Sequence, residues 1–148
     1  MRKSMSLLLV TALLLSLFAF PLASASAEPV EIVVFHTNDV HARVLPDPGM
    51  GYAMAAGYVD AARSAGKNVL LLDAGDTFHG LVIATAVRGE SIVNIMNAMK
   101  YDAMAPGNHD FNYGLDRLQE LSTLAEFPLL SCNVLGKDGK SIFAPYAI

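Results

Sequence analysis

Short runs of nearly continuous apolar residues, each broken off abruptly by small or polar residues, constrain this chain's fold more than any other feature. Glu31 to Phe35 (EIVVF), Val69 to Leu72, Ala103 to Ala105 and Leu129 to Val134 are too short for buried helices and rich in β-branched and aliphatic residues. Each predicts a buried strand. Between them apolar residues recur at helical spacing. Met54, Tyr58, Ala61, Ala62 and Ala65 form one stripe, stopped by Gly66. Ile92, Ile95, Met96 and Met99 form a second, with Ser91 or Glu90 near its start, and Leu115, Leu118, Leu121 and Ala125 a third. The order β-α-β-α-β-α-β predicts an α/β layered domain in which helices cover a largely parallel sheet. No internal repeat interrupts it.

The first residues follow a different pattern. Arg2 and Lys3 precede an apolar run from Leu7 to Phe20, then Pro21 and a small-residue stretch ending Ala25-Ser26-Ala27. A bilayer span needs about 20 apolar residues, and this run is shorter and ends in an Ala-x-Ala pattern. Residues 1–27 therefore read as a secretory signal peptide cleaved before Glu28. That leaves no stable membrane span and predicts a secreted, periplasmic or envelope-associated product. No cysteine follows the apolar run to suggest a lipoprotein.

Removing residues 1–27 takes away Arg2 and Lys3 and no acidic residue, so the formal charge moves from -4 to -6. No basic run could follow a phosphate backbone, which disfavours a nucleic-acid duplex as partner. Cys132 is the single cysteine. No intramolecular disulfide can form, and its place in the last apolar run predicts a buried thiol.

Three clusters of Asp, Asn and His follow three of the predicted strands, where open α/β sheets place their ligands. They are Asn38-Asp39-Val40-His41, Gly75-Asp76 and Gly107-Asn108-His109-Asp110. On an extended segment Asp39 and His41 would point the same way, so one cation could take both. Oxygen plus imidazole suits zinc, manganese, iron or cobalt better than calcium; a polar turn with an Asx cap is the plainer alternative. Asp76 could cap the segment after it, or bridge two cations. Asp73 reads as structural, accepting hydrogen bonds from loop amides. In the third cluster Asn108 offers a neutral oxygen ligand and His109 a general acid for a leaving oxygen, the alternative being a loop histidine that meets solvent.

Phe35-His36-Thr37-Asn38-Asp39-Val40-His41, Asp73-Ala74-Gly75-Asp76-Thr77-Phe78 and Gly107-Asn108-His109-Asp110-Phe111-Asn112 resemble, in order and spacing, the calcineurin-like metallophosphoesterases. The signal-like start and the Leu130-Ser131-Cys132-Asn133-Val134 segment resemble their exported 5'-nucleotidase and 2',3'-cyclic-nucleotide phosphodiesterase branch. The resemblance implies part of a four-layer α/β/β/α sandwich, with residues 28–148 supplying the amino-terminal part of its domain. It implies two divalent metal ions (Zn, Mn, Co or Fe), with Asp39 and His41 on the first, Asp76 bridging, Asn108 on the second and His109 catalytic. It also implies a metal-bridging hydroxide that attacks a nucleotide or other phosphate ester. Asp110, Asn112 and His36 stand as residues behind the ligands, and His79 as incidental.

Two departures from the family pattern stand out. Many members place an aspartate three residues after the catalytic histidine, where this chain has Asn112. The later Gly-His and Gly-His-x-His motifs have no counterpart, nor does the carboxyl-terminal domain that recognises the nucleoside base, so the chain reads as truncated, with weak or absent activity alone. The leading expectation is 5'-nucleotidase-type hydrolysis. The alternatives are a 2',3'-cyclic-nucleotide phosphodiesterase/3'-nucleotidase and, from another class, a non-catalytic metal- or nucleotide-binding module.

Overall fold

The structure is a computed structural model that describes residues 28–47 and 49–148. The proposed signal peptide lies outside the described residues. Glu31–Ile148 forms one compact unit, and among the described residues no helix is long and apolar enough to cross a membrane.

The elements in chain order are β1 (Ile32–Thr37), α1 (Gly51–Ser64), β2 (Asn68–Asp73), α2 (Val82–Thr85), α3 (Glu90–Met99), β3 (Ala103–Met104), a 3-10 turn at His109–Phe111, and α4 (Leu115–Leu124). The strands form one parallel sheet in the order β1-β2-β3. Phe35 pairs with Leu71 and Thr37 with Asp73, while Asp73 also pairs with Met104. All three strands therefore end at the same level, and their following loops emerge side by side.

The expected α/β class with a parallel sheet is observed, but the strands are not buried on both faces. Burial alternates along β1 and β2. Val33, Phe35, Thr37, Val69, Leu71 and Asp73 are covered, whereas Ile32 and Val34 remain 57% and 53% exposed. The cause is topological. Successive neighbouring parallel strands joined by crossovers of one hand put their helices on one side of the sheet.

α3 buries Ile92, Val93, Met96 and Met99. Each such side chain contributes about 1.5–3 kcal/mol over an exposed one, far more than helix propensity alone. Gly89 before it and Lys100 after it both hold left-handed backbone. α4 buries Leu118 and Leu121 as its stripe predicts, with Leu115 and Ala125 packed at the margin. α1 departs from expectation: its buried residues are Tyr52 and Val59, flanked by Ala55 and Ala56, whereas Met54 and Tyr58 are exposed. Both stripes have helical period, and the one that carries Val59 faces the core.

The fourth predicted strand is not formed. Leu129 and Leu130 make single parallel bridges to Met104 and Ala144. The chain then turns, because the Ser131 hydroxyl accepts the Val134 N–H and lies 2.9 Å from Asn133 Oδ1. Such local side-chain bonding competes with a ladder. Cys132 is consequently exposed rather than buried. Beyond it, Leu135 and Ser141 bridge antiparallel around Gly139. A cavity of about 540 Å³ lies between β1 and α1, lined by Phe35, Thr37, Tyr52, Val59 and Leu71 and reaching Asp39.

Candidate metal centre

The loops after β1, β2 and β3 meet above the strand ends, and each is tied to the next by its backbone. The Asp39 N–H donates to the Gly75 carbonyl at 3.0 Å and the His41 N–H to the Asp76 carbonyl at 2.9 Å. Gly75 stands at φ +95°, and a Cβ there would lie 2.2 Å from the Gly107 nitrogen. A Cβ on Gly107 would in turn meet Asp76 Oδ1 at 2.3 Å. The second and third loops thus touch backbone to backbone, which only glycine permits.

Asp39 and His41 do not converge by strand alternation, as an extended segment would require. Asp39, His41 and Ala42 take left-handed backbone at φ +53°, +47° and +59°, and Asp76 joins them at +58°. Non-glycine residues there carry a conformational cost of about 1–3 kcal/mol each and gather at functional sites. This turn brings one ligand atom each of Asp39, His41 and Asp76 within 4.8 Å of one another. His41 Nε2 is 3.8 Å from Asp39 Oδ1, and the other ring nitrogen, Nδ1, is 3.3 Å from the His79 carbonyl. With Nδ1–H donating to that carbonyl, Nε2 presents its lone pair to the carboxylates.

Two carboxylates so close repel each other, although the exposure of Asp39 lets solvent screen the repulsion. A dication among them reverses the sign. The oxygen, nitrogen and oxygen donors fit a divalent transition metal. Asp76 is nearly buried; its Oδ1 accepts the His109 N–H at 2.7 Å, leaving Oδ2 for an ion.

Asn108 is exposed at the head of the 3-10 turn, directly before His109. The His109 ring lies 5.1 Å, centroid to centroid, from that of His41. The Asn112 amide nitrogen, a donor only, is 3.0 Å from His109 Nδ1, so a neutral His109 carries its proton on Nε2. Asp110 is fully buried and accepts four backbone N–H groups, from Asp76, Thr77, Phe78 and Gly107.

Asp73 is structural, as its sequence position suggests. It accepts the Gly75 N–H at 2.8 Å and the hydroxyls of Thr37 and Thr77. Burial pushes its carboxyl up to about 6, although the bonds from Thr37, Gly75 and Thr77 act the other way. His36 does not join the centre: it is exposed on the uncovered face of β1, opposite Leu72, because it is out of phase with Thr37 and Phe35. His79 contributes more than its sequence context suggested. Its carbonyl orients His41, and its ring lies nearly parallel to that of His109 with centroids 6.1 Å apart. The signal for it was the adjoining Gly80, where a Cβ would meet the His41 carbonyl oxygen at 2.1 Å.

The calcineurin-like phosphoesterase profile matches residues 32–146. Over 126 residues the chain is 41% identical to a snake venom 5'-nucleotidase of Crotalus adamanteus, taking in 77% of this chain and 21% of that protein. It is 33% identical to a 2',3'-cyclic-nucleotide 2'-phosphodiesterase/3'-nucleotidase of Yersinia enterocolitica, over 95% of this chain and 24% of the relative. The crystal structure of a calcineurin-like phosphoesterase from Bacillus subtilis superposes with a TM-score of 0.67 at 33% identity, covering 77% of this chain and 40% of that one. The chain spans 21% and 24% of the two curated relatives' own lengths.

Proposed function

The chain belongs to the calcineurin-like phosphoesterase family, and from that premise we propose that it supplies part of a metal-dependent active site that hydrolyses phosphate esters of nucleotides, of the 5'-nucleotidase type. The observation that carries this reading is the convergence of Asp39, His41 and Asp76 within 4.8 Å. Asp39 and His41 would hold one divalent ion, Asp76 would reach both ions of a pair, and Asn108 would hold the second. When bound, the ions supply the positive charge that a transferring phosphoryl group needs more than covalent help. His109, with its proton on Nε2, serves as the acid for the leaving oxygen, and Asn112 steadies the ring through Nδ1. Residues 1–27 would direct the product out of the cytoplasm.

A second reading, a 2',3'-cyclic-nucleotide phosphodiesterase, is supported by the relative from Yersinia enterocolitica, whose similarity extends over 95% of the chain. The two readings are separated by assaying AMP, 2',3'-cyclic AMP and bis(p-nitrophenyl) phosphate with manganese or zinc, using the full product of the gene that encodes this chain. The Asn108→Ala and His109→Ala variants belong in the same assay. Hydrolysis lost in both variants supports the catalytic reading and ranks the substrates. Hydrolysis unchanged in both would overturn it, and metal uptake by a folded protein that hydrolyses none of the three esters would favour a binding module.

A further inference from the structure

Asp110 is the most fully engaged polar side chain near the centre. Its Oδ1 accepts the N–H groups of Thr77 at 2.9 Å and Phe78 at 2.8 Å. Its Oδ2 accepts those of Asp76 at 2.8 Å and Gly107 at 2.9 Å. A carboxylate has about four lone-pair sites, and all four are used. It is fully buried, and no lysine or arginine of the described residues lies within ion-pair distance of it. Charge-assisted bonds to four amides therefore replace water and counter-ion together.

The donors lie on two loops. Asp76, Thr77 and Phe78 follow β2, and Gly107 follows β3. The connection also runs the other way, because Asp76 Oδ1 accepts the His109 N–H. Asp110 accepts a hydrogen bond from the backbone N–H of Asp76, and Asp76 accepts one from the backbone N–H of His109, the neighbour of Asp110. With its carbonyl accepting the His41 N–H, Asp76 has every polar atom but Oδ2 engaged.

We infer that Asp110 is the positioning residue of the centre: its buried carboxylate clamps the loop after β2 to the loop after β3, setting Asp76 Oδ2 relative to His41 and the His109 ring. It touches neither ion nor substrate and acts only through backbone amides. The inference rests on the metal-site reading above. It deepens that reading by naming what holds the ligands in register.

The test is titration of Mn2+, followed by electron paramagnetic resonance, into the wild-type chain and its Asp110→Asn and Asp39→Ala variants, with backbone amide exchange measured alongside. Asn keeps the shape of Asp but replaces an acceptor oxygen with a donor that faces N–H groups. Loss of such an outer partner weakens metal affinity by about 10–100-fold. The expected result is that loss in Asp110→Asn, with faster exchange confined to Asp76, Thr77, Phe78 and Gly107 and unchanged exchange in α3.

Wild-type affinity in Asp110→Asn, alongside lost binding in Asp39→Ala, overturns this inference and leaves the metal site standing. A wild-type chain that takes up no Mn2+ sinks the metal-site reading and the inference with it. A second arm needs no variant and so survives any failure of Asp110→Asn to fold. Mn2+ added to the wild type should slow exchange of the Phe78 and Gly107 amides, whose side chains offer no ligand; unchanged exchange there also overturns the clamp.

Discussion

The backbone N–H of His109 donates to Asp76 Oδ1 across 2.7 Å, although the two residues lie 33 positions apart in the chain. One oxygen of Asp76 thereby sets the histidine loop while the other stays free. Asp76→Ala should abolish tight Mn2+ binding and, by leaving the His109 N–H without its acceptor, lower stability by about 1–3 kcal/mol. Asp39→Ala should lose metal binding at nearly unchanged stability, since Asp39 is exposed. Urea unfolding and Mn2+ titration of both variants separate the two effects. Equal stability losses would show that the His109 bond adds little.

Gly75 offers a sharper test of how closely the loops approach. Alanine there combines a left-handed backbone with a Cβ placed 2.2 Å from the Gly107 nitrogen, so the second and third loops must part. Gly75→Ala should destabilise the chain by more than the roughly 1 kcal/mol of an unfavourable φ alone and reduce metal affinity together with stability. Gly139→Ala, also at positive φ but with nothing within 4 Å of its Cβ, is the control and should show only the conformational part. Thermal melts of the two variants decide it.

Tyr52 presents the opposite case. Its hydroxyl is buried without a hydrogen-bond partner among the described residues, and burial pushes its ionisation well above the usual phenol range. Removing an unsatisfied buried hydroxyl while keeping the ring relieves a desolvation cost of about 1–3 kcal/mol. Tyr52→Phe should therefore match or exceed wild-type stability in urea unfolding. A clear loss would mean that the hydroxyl has a partner, such as a water in the cavity between β1 and α1.

Asp73 predicts a pH dependence. Its carboxyl stands at about 6 in the folded chain against 3.8 in its ordinary state, so the folded chain holds this proton more tightly than the unfolded one. Its contribution to stability is fully present below 3.8 and is lost as pH rises through about 6, a change of up to about 3 kcal/mol. Wild type should therefore lose stability relative to Asp73→Asn between pH 4 and 6.5. Parallel stability curves over that range would contradict the raised pKa.

Much of the architecture was legible because it depends on local pattern. The runs at Val69 to Leu72 and Ala103 to Ala105 form strands of one parallel sheet, and the stripe through Ile92, Met96 and Met99 is buried. The phase of α1 was not legible: Tyr52 and Val59 form as good a stripe as Met54 and Tyr58, and only the packing of the sheet chooses between them. The segment from Leu129 to Val134 read as a strand, yet the Ser131 hydroxyl takes over a backbone amide that a ladder would need.

The sequence by itself determined the alternation of strands and helices and the placing of Asp39, His41, Asp76, Asn108 and His109 at strand ends, since apolar runs and turn formers act over a few residues. Tertiary structure alone decided that Asp39 and His41 converge through left-handed backbone rather than an extended arm. It also decided that Gly75 and Gly107 touch, and that Asp110 satisfies the amides of residues more than thirty positions away. Backbone amides look alike in every sequence, and which carboxylate they meet is settled only when the parallel strands set their loops side by side.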